Sequence, residues 1–380
     1  MRALGWTLTI GAVAASIALT GLAASAAVTG PTSRAQYPAV PDRLYGVAAI
    51  SANDVWTVGL YPTGSLALNW NGSTWTEYET TTGYFNGVAA SGADDVWAVG
   101  GTNWFSPTQP LAQHWNGRTW TTVATANPAG GGYFNAVAAT SPSNAWAVGV
   151  VAPGGPGVPA VTKPLIEHWN GKTWTIQNVQ NPPNGGLLNA VAATSPFDVW
   201  AVGWTGPNSA DGQTLIEHWN GENWTRLPSP NLSGASQSFL KGVTAISGDN
   251  AWAVGAAIVG NVEHTLTMDW NGETWTIVPS PTPGGDDSLQ GVTFSWTHNI
   301  WAFGYTNPTR CGGGPNCQTL IEHWNSNTGR WKVIPSPDPP SEYLNLLEAG
   351  SAVSRTNIWA VGTTDYNSTL IVHWNGTSWS

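Results

Sequence analysis

Five histidines stand immediately before a tryptophan, at positions His114, His168, His218, His323 and His373. Imidazoles in that number raise the question of metal ligation or acid–base work. The same place in two further copies of the pattern holds Asn69 and Asp269. A second polar row comprises Asp54, Asp95, Asn144, Asp198, Asn250, Asn299 and Asn357, each two residues before another tryptophan. Recurrence argues against catalysis in both rows. A residue present in nearly every copy of a repeat serves the repeat, and copies set around a ring hold their imidazoles too far apart to share one ion. Both rows therefore read as groups that hydrogen-bond nearby backbone. Glu167, Glu217 and Glu322 differ, because other copies have Leu68, Gln113, Met268 and Val372 there. Strand alternation puts these glutamates on the face of the tryptophan two residues on. A half-exposed flank accounts for them.

The elements that carry these residues repeat seven times. Leu215 to Thr225 shows the unit: an apolar run ending in His218-Trp219, then Asn220-Gly221, then a second run opening on Trp224. Equivalent turns are Asn71-Gly72, Asn116-Gly117, Asn170-Gly171, Asn271-Gly272, Asn375-Gly376 and the longer Asn325 to Gly329. Asn-Gly suits a type I′ hairpin, in which both central residues take positive φ. Each unit opens on a short strand of small residues such as Val47 to Ile50, and its second strand is a segment such as "DVWAVG", whose tryptophans are Trp56, Trp97, Trp146, Trp200, Trp252, Trp301 and Trp359, spaced by 41 to 58 residues. Two further tryptophans flank each turn. Together these make 21 of the 25 in the chain. Four short strands per unit at this period predict an all-β chain, a seven-bladed β-propeller with four antiparallel strands per blade. The propeller is expected over residues 44–380. The last copy stops at Trp379-Ser380, and residues 27–43, a Pro-containing linker with Tyr37 to Pro41, are expected to complete the last blade's outer strand.

Trp169-Asn170-Gly171-Lys172-Thr173-Trp174 resembles an Asp-box hairpin with Asn in place of Asp, and Asn325 to Trp331 looks like a kelch hairpin. The chain in these respects resembles bacterial secreted β-propellers of the kelch and Asp-box kind. The order "DVWAVG", loop, "LIEHWNG", "WT" is also similar to seven-bladed bacterial and fungal lectins that bind sugars between blades. The resemblance implies a propeller. It leaves function open, since such folds bind, scaffold or catalyse.

Composition narrows the partners. Charged residues are 9% of the chain, the net charge is -10, and no basic run occurs among the twelve Lys and Arg. Nucleic acid is excluded as a partner, because phosphate binding needs clustered cations. Arg2, the apolar run Ala12 to Ala24 and the small residues Ala24-Ser25-Ala26 read as a secretory signal peptide over residues 1–26, so the mature chain is expected outside the cell. No later apolar run is long enough for membrane insertion. In an oxidising compartment Cys311 and Cys317 are expected to form a local disulfide. They give too few ligands for a metal. No cofactor is expected; Asp286-Asp287 could take Ca²⁺, although two carboxylates make a sparse site.

Variable loops on a rigid scaffold usually carry binding. Apart from the longer Asn325 to Gly329 turn, the length variation falls on one propeller face, in residues 101–110, 150–164, 204–214, 228–239 and 305–319. The irregular aromatics Tyr61, Trp104, Phe105, Trp204, Tyr305 and Tyr366 fall there too. The start of the innermost strand contributes one residue per blade: Tyr45, Asn86, Asn135, Asn189, Lys241, Gln290 and Glu348. These should ring the channel mouth on the same face, and being mostly uncharged they suit a neutral hydroxylated ligand better than an anion. The expected function is non-catalytic binding of carbohydrate, a surface glycan or an extracellular protein by the long-loop face. The alternative is a glycan hydrolase or lyase with its site at the channel mouth. No converging arginines or assignable nucleophile stand out.

Overall fold

The computed structural model describes residues 28–29, 42–61, 64–103, 108–151, 161–206, 212–296, 299–307, 317–341, 344–365 and 368–380. Residues 1–27, Tyr37 to Pro41, Trp104, Phe105, Cys311 and Tyr366 lie outside them, and with them the signal-peptide and linker expectations.

The described residues form seven antiparallel sheets and no helix. Blade 4 shows the plan: Gly186–Ser195 is innermost, followed outward by Asp198–Thr205, Gln213–Trp219 and Trp224–Arg226. The other innermost strands are Arg43–Ser51, Tyr84–Gly92, Gly132–Ser141, Gln237–Ser247, Asp286–Trp296 and Asn345–Ser354. The second strand is buried almost end to end, since a blade is covered on both faces by its neighbours. That explains its continuous run of Val, Trp and Ala where a one-sided sheet would alternate.

The turn between third and outer strands differs from the expected one. The glycine takes positive φ, +93° at Gly72 and +94° at Gly221, but the asparagine before it does not. Positive φ at the first central residue alone is the II′ pattern. The asparagine precedes that pair and works through its side chain: Asn220 Oδ1 accepts from the backbone N–H of Glu222 at 3.0 Å and of Asn223 at 2.9 Å.

Tryptophans join the blades. At each seam the "DVWAVG" indole of one blade meets the two turn-flanking indoles of the next. Trp200 lies 5.0 Å from Trp270 and 5.3 Å from Trp275, the latter edge-on at 80°. The trio recurs around Trp56, Trp97, Trp146, Trp252 and Trp301, with edge-on contacts of 5.0 to 5.6 Å. It recurs once more where the ring closes, with Trp359 of blade 7 at 5.8 Å from Trp70 and 5.6 Å from Trp75 of blade 1. Each of the seven hydrophobic clusters spans one such seam. In blade 7 the outer position is taken by the chain end. Trp379 bridges to Trp374, and Ser380 exchanges backbone hydrogen bonds of 2.9 and 3.0 Å with His373. Val28–Thr29 adds a two-residue strand outside blade 1.

If the closing seam is one seam among equals, Trp359→Ala and Trp200→Ala should each cost about 3–5 kcal/mol in denaturant unfolding. A loss below about 1 kcal/mol for Trp359→Ala alone would show that the ring is closed by something else.

Candidate functional site

Each innermost strand carries a β-bulge one residue before its small-residue run. Leu188 pairs with Gly203 and Ala190 with Val202, so Asn189 is left without a register partner. The same shift leaves out Tyr45, Asn86, Asn135, Lys241, Gln290 and Glu348, the seven residues expected at the channel mouth. A bulge re-aims the side chain of its extra residue. The glycine closing "DVWAVG" is what permits it. A Cβ on Gly203 would stand 2.0 Å from Leu187 O, and the equivalent clash at Gly59, Gly100, Gly149, Gly255, Gly304 and Gly362 is 1.8 to 2.0 Å. Backbone can approach that closely only where there is no side chain.

All seven bulge residues line one cavity of ≈ 440 Å³, together with Trp204, Phe239 and Glu263. Below them the channel narrows through small residues such as Gly46, Gly87 and Ala190 to a ring of valines that includes Val47, Val88, Val191 and Val243. The mouth is thus a cup with an apolar floor.

Its rim has two unlike arcs. On blades 2 to 4, Asn86 Nδ2 donates to Phe134 O, Asn135 Nδ2 to Leu188 O and Asn189 Nδ2 to Leu240 O, each at 2.8 Å. Each amide grips the next blade just before that blade's own bulge. The other arc is ionisable. Lys241 Nζ donates to Ser288 Oγ at 2.8 Å and lies 3.5 Å from Glu263 Oε1, whose Oε2 accepts from Tyr305 OH at 2.8 Å. Gln290 Nε2 donates to the same serine at 3.3 Å. Burial pushes the Glu348 carboxyl up to about 7, against the pull of Lys241 and Arg43. Burial also raises the Tyr45 phenol, opposed by the charge and hydrogen bond of Arg43.

The cavity also holds Trp204, packed edge-on against Phe239 at 5.6 Å and 86°. Tyr305, its counterpart in blade 6, acts from behind by fixing Glu263. Tyr61 packs into the seam between blades 7 and 1 and does not reach the cavity. Phe239 and Glu263 escaped the sequence reading. Phe239 was within reach of it, lying two residues before bulge residue Lys241, just as Tyr84 and Tyr133 precede Asn86 and Asn135. Glu263 depends on the longer second and third strands of blade 5, which stay paired past Gly255–Leu266 out to Val259–Val262 before turning at Gly260-Asn261.

Asp286 and Asp287 are both engaged by the fold. Asp286 Oδ1 accepts from Glu263 N at 3.0 Å, and Asp287 takes Gly284 N at 3.1 and 3.0 Å. Among the described residues, no three His, Cys, Asp or Glu side chains gather as a metal ion would require. Cys317 is buried and disulfide-bonded.

No family model matches the sequence, and no curated protein matches it. Solved structures that resemble the chain do so as folds. YCF48 bound to a D1 peptide shares 15% identity at a TM-score of 0.54, over 89% of this chain and 96% of that one. A polysaccharide lyase of family PL25, an ulvan lyase, shares 9% at 0.55, over 93% and 95%. The fucose-specific lectin from Aleuria aurantia shares 14% at 0.46, over 77% and 93%, too loose a match to argue from. Fold and comparisons together define a seven-bladed β-propeller.

Away from the mouth, the two recurrent polar rows serve the blades. In six of the seven they pair side chain to side chain with each other rather than with backbone as expected, while Asp269 of blade 5 accepts from Thr276. His114 Nε2 meets Asp95 Oδ1 at 2.6 Å, and His218 meets Asp198 at 2.7 Å. His168, His323 and His373 meet Asn144, Asn299 and Asn357 at 2.9, 2.6 and 3.1 Å, and Asn69 meets Asp54 at 2.8 Å. Every one of these imidazoles also lies against its blade's first tryptophan, at 4.0 Å for Trp200 and His218. Burial would raise Asp95 and Asp198. The hydrogen bonds from His114 and Ser91, and from His218 and Thr194, outweigh it and hold both carboxyls below the usual range. Burial lowers His168, His323 and His373.

The glutamates expected on a half-exposed flank are instead fully buried, at 0% exposure for Glu167, Glu217 and Glu322. The preceding blade covers the flank, which strand alternation by itself does not reveal. Glu167 accepts from Ala126 N at 2.9 Å, and Glu217 pairs with Arg226 at 3.1 Å. Glu322 accepts no hydrogen bond among the described residues. The place of Ala126 is held in its seam by Pro281, which has no N–H to offer. Burial, with a smaller contribution from Asp287, raises it well above the carboxylate range. Burial also raises Glu167 from 4.5 to about 7, the Ala126 hydrogen bond opposing. The folded chain therefore holds that proton more tightly than the unfolded one. Stability from this source is complete below pH 4.5 and lost as pH rises through 7. Relative to wild type, Glu167→Gln should gain stability between pH 5 and pH 8, by up to about 3 kcal/mol. Parallel melting curves for the two proteins across that range would show that Glu167 does not titrate there.

Proposed function

We propose that the chain is an exported binding propeller that takes a carbohydrate ligand in the cup at its long-loop mouth, without transforming it. The observation that carries this is the convergence in one cavity of the seven bulge residues with the Trp204–Phe239 pair. An aromatic face beside a rim of hydrogen-bonding groups suits a sugar, which has an apolar face and hydroxylated edges. The seams between blades are poor alternatives, because each is filled by its trio of indoles and is shut to solvent at its first tryptophan, Trp97 and Trp200 being 1% and 0% exposed. A ligand at the axis also fits the repeat logic, for the bulge position varies from blade to blade while the seam residues do not. Export is proposed from the N-terminal apolar run ending in Ala24-Ser25-Ala26.

One observation favours the enzymatic alternative. Glu348, with its carboxyl near neutrality, shares the cavity with Glu263, whose carboxylate is held by Lys241 and Tyr305. Two carboxyl groups in unlike surroundings are what glycan cleavage uses. A glycan array followed by product analysis separates the two readings. Binding without release of fragments supports recognition, and fragment release moves the chain to the hydrolases or lyases. In the same assay Trp204→Ala should weaken binding about tenfold with an unchanged melting temperature. Undiminished binding by that variant would remove the ligand from this cavity.

A further inference from the structure

The amide arc of the rim has a chemical polarity that the residue names conceal. An asparagine side chain offers two donors on nitrogen and an acceptor on oxygen. In Asn86, Asn135 and Asn189 the nitrogen is tied to a backbone carbonyl, which can only accept. That bond fixes which end of the amide is which, with no freedom to flip. Among the described residues none of the three Oδ1 atoms takes a hydrogen bond, and none is sealed off from the cavity that the residues line. Three consecutive blades therefore present three oriented acceptor oxygens on one side of the mouth.

We propose that this arc reads hydrogen-bond donors, so that the ligand edge lying against Asn86, Asn135 and Asn189 carries free hydroxyl groups. The inference rests on the glycan reading above and narrows it. The ligand class is a neutral saccharide with an unsubstituted hydroxylated edge. A carboxylate, sulfate or O-alkylated edge brings acceptors to face acceptors and leaves both sides unpaired on desolvation. An ammonium group would also satisfy the oxygens, and a glycan amine is therefore included in the test. The opposite arc supplies what the amide arc lacks. Lys241 and Tyr45 can donate to ring or glycosidic oxygens, so the two arcs orient the ligand and admit a single copy per ring.

A site that hydrogen-bonds a hydroxyl discriminates strongly against an analogue lacking it, because its own polar groups are left unpaired. The test uses isothermal titration of the full chain with hexose tetrasaccharides of the gluco, manno and galacto series. Each is compared with its per-O-methylated form and with deoxyfluoro analogues, which replace a donor by a non-donor of similar size. A tetragalacturonate and a chitosan tetramer complete the set. The expected result is binding of at least one native neutral tetramer at one per chain. Its methylated form, and at least one deoxyfluoro analogue, should be weaker by 30-fold or more. Methylated and native forms binding within threefold of each other would overturn the donor-reading arc. If Trp204→Ala still weakened both about tenfold, the glycan reading would stand. Binding of the uronate or the amine alone would also overturn it. If no saccharide binds, the glycan reading itself falls and takes this inference with it.

Discussion

The contact on which the ring depends is one indole set edge-on against another across a blade boundary. A four-stranded sheet of about 40 residues cannot bury both of its faces alone, and here each blade hides its flanks by giving one tryptophan to the seam with the next blade and two to the seam with the preceding one. Large aromatic rings suit that task. They bury about 150–250 Å² each with only two rotatable bonds to freeze, and edge-to-face geometry adds attraction beyond the area covered. The closing seam repeats the arrangement between Trp359, Trp70 and Trp75. Closure therefore uses side-chain packing of the same kind as every other boundary. The polar groups that recur with the tryptophans support them. An imidazole stacked on the first indole and bonded to the Asp or Asn two residues before it holds that ring at its angle.

A second constraint links this scaffold to the site. The glycine that ends "DVWAVG" looks like a loose end of a strand in the sequence. It is the place where the innermost strand's carbonyl comes too close for any side chain, and the resulting bulge turns one residue per blade into the channel. Scaffold residues are thus held constant around the ring, while the bulge position is free to vary. It runs from tyrosine through three asparagines to lysine, glutamine and glutamate. A sevenfold frame acquires a rim with an acceptor arc and an ionisable arc, and so a direction in which a ligand can sit.

The blade plan and the bulge row could be read from the repeat, because the same physical demand was written seven times and chance agreement falls away. Where a feature depends on one blade's departure from the plan, the repeat is silent. Glu263 reaches the mouth because the second and third strands of blade 5 stay paired further out than the plan requires, to Val259 and Val262. The burial of Glu167, Glu217 and Glu322 was missed for a related reason. Strand alternation says which face a side chain is on, and the covering of that face is decided by the adjoining blade. The asparagine turns were assigned the right place but the wrong geometry, since the preference of Asn-Gly for positive φ at both positions gives way to side-chain acceptance of two backbone N–H groups.

The central claim is that recognition belongs to the varied rim and structure to the repeated seams. Amide hydrogen exchange measured with and without a bound saccharide addresses it directly. The account predicts that added protection is confined to the bulge segments of the innermost strands, to Trp204 and Thr205, and to Val262 to His264, while the seam strands exchange unchanged. Protection concentrated in the third and outer strands, between blades, would contradict it.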